Sequence, residues 1–495
     1  MKIVDSEHMA RIDAQAQSEY AMPAQILMEN AGIKAYSVCR ERFPSLKAGG
    51  PPMVCVAGSG NNGGDALVMA RQAFLDGIDV QVLLVGETVS DTSRVNLNIA
   101  RRLGIPSVSW RHDPAAARSA LDGAGLIIDG MFGTGIRGPL RPEASELALA
   151  INRTKAHVVA IDLPSGIVDD YKRGSVAVVA DLTICLGLPK RCLYLPEARL
   201  FCGDIHHLPI GFPPKLLSEA DPWAELLVDG DIPTLLPKLH GDAFKSSRGR
   251  LAVYAGSSGT TGAPVLAASS AARSRCGLVY LFADDEIYHI VATQLVSVMV
   301  RRWKPDSEFD MSGYDAYLAG PGWGFEGRMR WLDALIKSGL PGIMDADALT
   351  LLAGIRPKPD LGGKVVLTPH PGEMARLTGM TISTIMEDPF SVARETSAAY
   401  NAVVVLKGHV TVVASPGGSC WVLDGVNPAL GTGGSGDVLA GIIAGLLAGG
   451  VEVSVAARLG VLVHSRVARI VFQERGWFLA EDLVPAISKF FREVE

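Results

Sequence analysis

The sequence predicts an α/β protein of two domains, each built on a mostly parallel sheet with helices on both faces. A chain of 495 residues is too long for a single hydrophobic core. Short apolar segments of the strand type alternate with helical segments, which is typical of a parallel sheet that is covered on both sides. This alternation lapses in a proline-rich stretch from about 211 to 248, so we place the boundary near residue 225, giving domains 1–225 and 226–495.

Composition excludes several classes of protein. With 48% hydrophobic and 20% charged residues, the chain has the balance of a globular protein. A net charge of −6 gives no electrostatic reason to expect nucleic acid or a membrane as a partner. The N-terminus has no apolar signal core, and the longest uncharged stretch after Asp437 suits a buried helix. Seven cysteines without a C-x-x-C pair indicate reduced core residues, so we expect a cytoplasmic protein.

The first domain opens with helical segments and continues with strand and helix units. PMVCVAG (52–58) predicts a buried strand, GSGNNGGD (58–65) a loop, and ALVMARQAFLDG (66–77) a helix. GSGNNG matches the G-x-G-x-x-G pattern of a Rossmann dinucleotide site, and Glu87 is placed to bind a ribose hydroxyl. Against a dehydrogenase, the polar side chains of this loop would crowd a pyrophosphate, and no histidine or lysine arrangement supports hydride transfer.

Polar residues follow several predicted strands of this domain. Asn62 and Asp65 come after the first strand, Asp129 closes LIID, and Asp162 and Ser165 follow VVAI. Because ligands of open parallel sheets bind beyond the carboxyl ends of the strands, we expect these side chains to share one crevice. Their oxygens suit a hard cation, and one remaining acid could transfer protons. The simpler alternative is that each aspartate caps the helix after its strand.

The motifs LMENAG (27–32), GSGNNGGD, D-x-x-x-GTG-x-RG (129–138) and DLPSG (162–166) together resemble the YjeF N-terminal domain, the epimerase of NAD(P)H hydrates. The resemblance covers about residues 1–225 and implies a Rossmann-like three-layer α/β/α fold. It implies that K⁺ is bound by Asn62, Asp129 and Ser165, and that Asp162 is the acid/base. The residues that it implies for the hydrated dinucleotide are Asn61, Asn62, Gly63, Gly64, Asp65, Gly133, Thr134, Gly135, Ile136, Arg137, Gly138, Pro139 and Asp162. Related domains also occur in decapping scaffolds, so a scaffold is an alternative.

In the second domain, GTGGSGDVLAG (431–441) raises a question about Asp437. Glycine-rich amides at a helix start suit a phosphate, which a carboxylate would repel. Asp437 is therefore either an N-terminal helix charge worth about 0.3 to 1 kcal/mol or a group that does chemistry beside a bound anion. Other predicted strand ends carry DADAL (345–349), LTPHPGE (367–373) and LKGH (406–409), which favours chemistry.

GSSGTTGAP (256–264), PGWG (321–324), DADAL, LTPHPGE, LKG and NPALGTGGSGDVLAG resemble the ADP- or ATP-dependent NAD(P)H-hydrate dehydratases of the ribokinase-like α/β/α fold, over about 226–495. The resemblance implies that Ala263, Gly322, Gly324, His370 and Asp437 contact the hydrated dinucleotide. It implies that the adenine nucleotide is held by Lys407, Gly408, His409, Val410, Thr411 and Gly436. Asp437 would then activate the attacking hydroxyl, and Mg²⁺ is expected at the phosphates, with Glu373 as a possible ligand.

These resemblances predict a bifunctional repair enzyme. The first domain would interconvert the R and S epimers of hydrated NADH or NADPH, and the second would dehydrate the S epimer at the expense of ADP or ATP. The alternative is a vitamin or sugar kinase of the ribokinase class with a regulatory or scaffold N-terminal domain. Extensive uncharged apolar sequence in both halves predicts a homo-oligomer. The preference between ADP and ATP, or between NADH and NADPH, is left open.

Overall fold

The protein is described by a computed structural model that covers residues 1–86, 90–239 and 241–494. Two compact units are present, Met1–Glu225 and Leu226–Glu495. Within the described ranges, no helix has the length and apolar character that a membrane span requires. Glu87, the acid considered for a dehydrogenase, lies outside the described residues.

The first unit holds a seven-stranded sheet among its described residues. Its strands are β2 (Met53–Ala57), β3 (Val80–Leu84), β4 (Ser107–Ser109), β5 (Leu126–Gly130), β6 (His157–Ile161), β7 (Leu182–Leu186) and β8 (Asp204–Leu208), after a short β1 (Lys2–Ile3). Its helices are α1 (Ser6–Glu19), α2 (Ala24–Arg42), α3 (Asn61–Leu75), α4 (Asp91–Arg102), α5 (Pro114–Gly123), α6 (Pro142–Asn152), α7 (Pro196–Arg199) and α8 (Pro214–Glu219). The strand order is β4-β3-β2-β5-β6-β7-β8, and every neighbouring pair is parallel.

Alternate residues of β2 divide between two hydrophobic clusters, which shows that this sheet is covered on both faces. Cys55 packs with residues of α2, α3 and α4, whereas Val54 and Val56 pack with residues of α5 and α6. This confirms the predicted three-layer α/β/α arrangement. The chain leaves β2 toward β3 and returns to β5 on the other side, so the crevice between β2 and β5 is the switch point at which ligands bind in such sheets.

The loop predicted at 58–65 is wrong in its second half, because α3 already begins at Asn61. Glycine is needed at position 63 because the start of α3 passes close to the backbone of Gly58. A Cβ at Gly63 would lie 2.1 Å from the carbonyl oxygen of Gly58. Asn61, Asn62 and Asp65 therefore occupy the first helical turns, directly beyond the end of β2.

The second unit holds strands β10 (Arg250–Tyr254), β11 (Leu278–Asp284), β12 (Met299–Trp303), β13 (Ala316–Ala319), β14 (Gly342–Met344), β15 (Val365–Leu367), β16 (Val403–Leu406), β17 (Val410–Ala414) and β18 (Cys420–Asp424); β9 is Ala224–Leu226. Its helices are α9 (Ile232–Leu235), α10 (Gly262–Arg273), α11 (Tyr288–Ala292), α12 (Arg328–Ser338), α13 (Ala346–Ala353), α14 (Pro371–Thr378), α15 (Ile382–Glu387), α16 (Pro389–Tyr400), α17 (Ser435–Ala448), α18 (Val453–Arg475) and α19 (Ala480–Val494). The strand order is β12-β11-β10-β13-β14-β15-β16-β17-β18, parallel as far as β16 and antiparallel beyond it.

Helix α17 is buried along its length from Val438 to Ala448. An apolar helix of this kind belongs in the interior, and α17 packs against α10 and α18 in the main core of the unit. Gly441 and Gly445 make the contact with α10 close, because a Cβ at these positions would lie 2.3 Å and 2.6 Å from the carbonyl oxygens of Ala267 and Ala271. The packing fixes the start of α17, and with it Asp437.

Candidate active sites

A cavity of about 440 Å³ lies in the first unit, beyond the carboxyl ends of β2, β5 and β6. Among the predicted residues, those that line it are Asn61, Asn62, Asp65, Gly133, Thr134, Gly135, Ile136 and Asp162. Gly63 and Gly64 are buried beneath it. Arg137, Gly138 and Pro139 lie outside the lining, and Arg137 is exposed near Glu7. Of the five polar residues predicted to share a crevice, Asn62, Asp65 and Asp162 line this cavity, whereas Asp129 and Ser165 are outside its lining.

The three residues predicted to bind K⁺ are linked through Phe132. The Ser165 hydroxyl donates to Asp129 Oδ1 at 2.6 Å and accepts from the Phe132 amide at 2.9 Å. The Asn62 amide group donates to the carbonyl oxygens of Phe132 and Ile161 at 2.9 Å and 3.0 Å. Asp129 is fully buried, and burial raises its pKa to about 6. This cluster of carboxylate, amide, hydroxyl and carbonyl oxygens fits a hard cation.

Asp162 forms a buried ion pair with Lys190 in the same cavity. The Lys190 ammonium lies 2.5 Å from Asp162 Oδ1, and it also donates to the carbonyl oxygen of Leu186. Burial alone would lower the pKa of Lys190, but Asp162 outweighs it and holds that pKa above its usual value. Asp162 has a φ of 66°, a conformation that costs free energy for a residue other than glycine. The Lys190 ammonium and the Leu186 amide, which donates to Asp162 Oδ1 at 3.2 Å, hold the carboxyl group in place.

Asp65 has the opposite surroundings. It is 7% exposed and lines the cavity, and no described residue forms a hydrogen bond or ion pair with its carboxyl group. Burial raises its pKa well above the usual value, and the nearby Asp162 and Asp13 raise it further. Asp65 therefore holds its proton more tightly than an exposed aspartate does.

In the second unit, Lys407, which follows β16, contacts acidic residues that follow β14 and β15. Its ammonium donates to Asp345 Oδ1 at 2.7 Å and lies 3.9 Å from Glu373 Oε2. The Thr368 hydroxyl also donates to Asp345 Oδ1, at 2.8 Å. Asp345 is only 1% exposed. Lys407 is thus the cation that compensates a buried acidic cluster.

Asp437 lies in the first turn of α17, beside this cluster. Burial raises its pKa to about 7, with further contributions from Asp345, Asp347 and Glu373 and an opposing one from Lys407. The next glycine back, Gly436, is so close to Lys407 that a Cβ there would lie 3.3 Å from the Lys407 ammonium. Three groups therefore lie close together: the first N–H groups of α17, which have no partner within the helix, the Lys407 ammonium and the Asp437 carboxyl group.

His370 has a structural role in addition to the predicted one. Its Nδ1 accepts from the Gly372 amide at 3.0 Å, and Glu373 accepts from the His370 amide at 2.8 Å, which forms a capping box at the start of α14. Because Nδ1 accepts, Nε2 carries the proton. The ring is half exposed and lines a second cavity.

The residues predicted for the two ligands lie in two groups. The first group lines a cavity of about 530 Å³: it includes Lys407, Gly408, His409, Thr411 and Gly436, but neither Val410 nor Asp437 lines this cavity. In the second group, a Cβ at Gly322 would lie 3.2 Å from Cβ of Ala263, and the Gly324 amide donates to Asp347, whose charge acts on Asp437. Ala263, Gly322 and Gly324 are outside the cavity lining.

Comparison with known proteins assigns both units. A family model described as YjeF-related protein N-terminus matches residues 24–192, and one described as NAD(P)H-hydrate dehydratase matches residues 251–489. The chain is 33% identical to the bifunctional NAD(P)H-hydrate repair enzyme Nnr of Moorella thermoacetica, over 100% of this chain and 97% of that protein. The chain belongs to this family. The resemblances found in the sequence are thereby confirmed.

Other bifunctional NAD(P)H-hydrate repair enzymes align over nearly the same length. The protein of that name from Coxiella burnetii is 32% identical over 93% of each chain, and the one from Escherichia coli is 30% identical over 98% of this chain and 93% of its own. A crystal structure of the ADP/ATP-dependent NAD(P)H-hydrate dehydratase from Bacillus subtilis, co-crystallised with ATP and Mg²⁺, is 29% identical. It superposes with a TM-score of 0.51 and covers 55% of this chain and 99% of its own. The ribokinase-like fold is thereby confirmed.

In this member of the repair-enzyme family, sequence patterns missed two polar groups of the sites. Lys190 lies four residues beyond β7, in GLPK, so the strand-end rule that found Asp162 could have found it. His464 lines the cavity beside Lys407 from α18, and its Nε2 is buried without a hydrogen-bond partner. Burial lowers the pKa of His464 to about 4. No sequence signal distinguishes it from a core histidine.

Proposed function

We propose that this chain repairs hydrated nicotinamide dinucleotides with both of its units. The first unit interconverts the R and S epimers of hydrated NADH or NADPH, and the second dehydrates the S epimer at the expense of ADP or ATP. The observation that carries the proposal is Asp437, a carboxyl group with a pKa of about 7 at the glycine-rich start of α17, beside Lys407. The activity named for the full-length relatives supports it.

Asp437 accounts for the chemistry of the second unit. Hydroxide is a poor leaving group, so the hydroxyl at C6 of the hydrated ring must first be phosphorylated. Asp437 takes the proton from that hydroxyl while the N–H groups at the start of α17 and the Lys407 ammonium stabilise the phosphate charge. The electron pair of the ring nitrogen then expels phosphate, and loss of a proton from C5 forms the C5–C6 double bond and restores the dihydronicotinamide ring. Since burial raises the pKa of Asp437, part of the population is neutral and repels the phosphate less.

Mg²⁺ belongs to this proposal as a companion of the nucleotide phosphates. The described residues contain no group of three or more His, Cys, Asp or Glu side chains arranged for a metal. Mg²⁺ commonly keeps several waters and is held by one or two carboxylates together with phosphates, which fits such a site. Glu373, next to Lys407, is the residue that would take part. A homo-oligomer in the cytoplasm completes the proposal, on the basis of composition alone.

The decisive experiment follows the repair of each epimer separately. Pure S hydrate with ADP, and then with ATP, should yield NADH or NADPH absorbance, and pure R hydrate should do so after epimerisation. A vitamin or sugar kinase would give no such absorbance with the hydrate. If the S epimer is repaired but the R epimer is consumed only at its spontaneous rate, the first unit is a scaffold instead.

We expect epimerisation to require K⁺, which Asn62, Asp129 and Ser165 would hold near the dinucleotide. Replacing K⁺ by tetramethylammonium at constant ionic strength should slow the conversion of R to S hydrate by at least about tenfold, since even changes to residues around metal ligands cost about 10- to 100-fold. Asp129→Asn should remove the K⁺ dependence, because the carboxylate supplies the only negative charge among the three ligands.

The matched control is Asp122→Asn, since Asp122 is an exposed residue of α5. This variant should keep the K⁺ activation of the wild-type protein. Equal rates in K⁺ and in tetramethylammonium would contradict the cation site.

A further inference from the structure

We infer that Asp65 is the proton donor of epimerisation and that Asp162, held by Lys190, is the proton acceptor. The inference rests on the proposed function of the first unit. It adds a second catalytic carboxyl group and a positioning lysine, and it assigns opposite tasks to the two aspartates.

Asp65 and Asp162 line the same cavity. Asp65 comes from α3, beyond β2, and Asp162 follows β6, and both line the cavity of about 440 Å³. Lys190 and Asp13 complete the set of ionisable groups in that lining. A ring bound between Asp65 and Asp162 would have an acid or base within reach on more than one side.

The two groups differ in their hydrogen-bond partners. Asp162 accepts hydrogen bonds from the Lys190 ammonium at 2.5 Å and from the Leu186 amide at 3.2 Å, so its carboxyl oxygen is placed as a hydrogen-bond acceptor. Asp65 receives no such bond from the described residues, and it faces the charges of Asp162 and Asp13. Two titratable groups whose environments separate them in this way are the usual arrangement for a paired acid and base.

The substrate needs such a pair. The hydroxylated carbon of the hydrated ring is also bonded to the ring nitrogen, so it is a hemiaminal, which changes configuration by opening and closing. Asp162 takes the hydroxyl proton, the carbon–nitrogen bond breaks with its electron pair moving to nitrogen, and Asp65 protonates that nitrogen. The resulting aldehyde turns its other face to the nitrogen, which attacks it. The nitrogen returns its proton to Asp65, and Asp162 protonates the oxygen.

The test compares Asp65→Asn with the wild-type protein. Asparagine keeps the size of the side chain but cannot act as an acid, so we expect the conversion of R to S hydrate to fall by about 10² to 10⁴-fold. In the wild-type protein this rate should decline at alkaline pH, as Asp65 loses its proton, and the variant should lack that decline. Lys190→Met should also slow epimerisation, and Lys190→Arg should restore part of the rate, because it keeps the charge beside Asp162.

Controls separate this inference from the proposed function. Asp122→Asn should epimerise at the wild-type rate, and every variant should still dehydrate S hydrate in the second unit. If wild-type protein does not epimerise, the proposed function fails; if Asp65→Asn epimerises as fast as wild type, only this inference fails.

Two measurements on the wild-type protein keep the inference testable even if the variants unfold. The first is the alkaline decline, whose absence would exclude Asp65 as the donor. The second is a single turnover in H₂¹⁸O, in which ring opening keeps the original oxygen. Incorporation of ¹⁸O into the product would show that water leaves and returns instead, and it would overturn the ring-opening step.

Discussion

Asp437→Asn is expected to lower the kcat of S-hydrate dehydration by about 10² to 10⁴-fold, the range associated with loss of a general base. Asparagine fills the same space in the first turn of α17, so the amides and Lys407 should still bind the nucleotide. The expected signature is therefore a reduced kcat with a nearly unchanged KM for ADP or ATP, measured by NADH absorbance. Epimerisation of R hydrate should continue, because the first unit has its own cavity and its own carboxyl groups.

The matched control is Asp333→Asn, which alters an exposed aspartate on α12 that pairs with Lys337. In wild-type protein, kcat/KM for dehydration should rise with pH through about 7 and then level off, because the base must be ionised and burial raises its pKa to that value. An Asp437→Asn variant with wild-type turnover would remove the central argument for the second unit.

Lys407→Met is expected to damage both the stability and the activity of the second unit. The change leaves Asp345, which is nearly fully buried, without the ammonium that now lies 2.7 Å from its carboxylate. Removing one partner of a buried ion pair costs about 3 to 5 kcal/mol; since the Lys407 side chain is 20% exposed, we expect about 3 kcal/mol in the free energy of unfolding, measured by urea denaturation. Loss of the cation should also raise the KM for ADP, and it should move the pH profile of dehydration to higher pH, because Lys407 lowers the pKa of Asp437.

Lys337→Met provides the comparison, since Lys337 forms an exposed ion pair with Asp333 four residues earlier on the same helix. Such pairs contribute about 0 to 1 kcal/mol, so the urea midpoint should barely move. If Lys407→Met unfolds at the wild-type urea concentration and binds ADP with the wild-type KM, then Lys407 neither balances the acidic cluster nor faces the phosphates.

The sequence predicted the fold because the fold follows from local rules, and the same rules indicated where the two candidate sites lie. Apolar strands alternating with helices indicated parallel sheets, and polar residues just past the strands marked the edge where ligands bind. Asp437 and Asp162 were therefore selected before any tertiary contact was considered. Motif resemblance then supplied the chemistry of the site, which strand ends alone do not specify.

The sequence did not predict which charges pair. Asp162 and Lys190 are 28 residues apart and Asp345 and Lys407 are 62 apart, and only folding brings each lysine to its aspartate. The contrast between Asp65 and Asp162 depends on those pairings, since both look alike as aspartates near a strand end. Protonation states within a buried cluster are set by distances in space, which no spacing along the chain reveals.

Gly441 and Gly445 limit which substitutions the second unit can accept where α17 packs against α10. Each lies against a carbonyl of α10 with no room for a methyl group, so an alanine at either position would push the two helices apart. The reacting carboxyl group would be carried along, although it is one to two turns away. In mutational libraries aimed at new substrates, changes in the lining of the cavity of about 530 Å³ should therefore be tolerated far better than changes at the contact between α10 and α17.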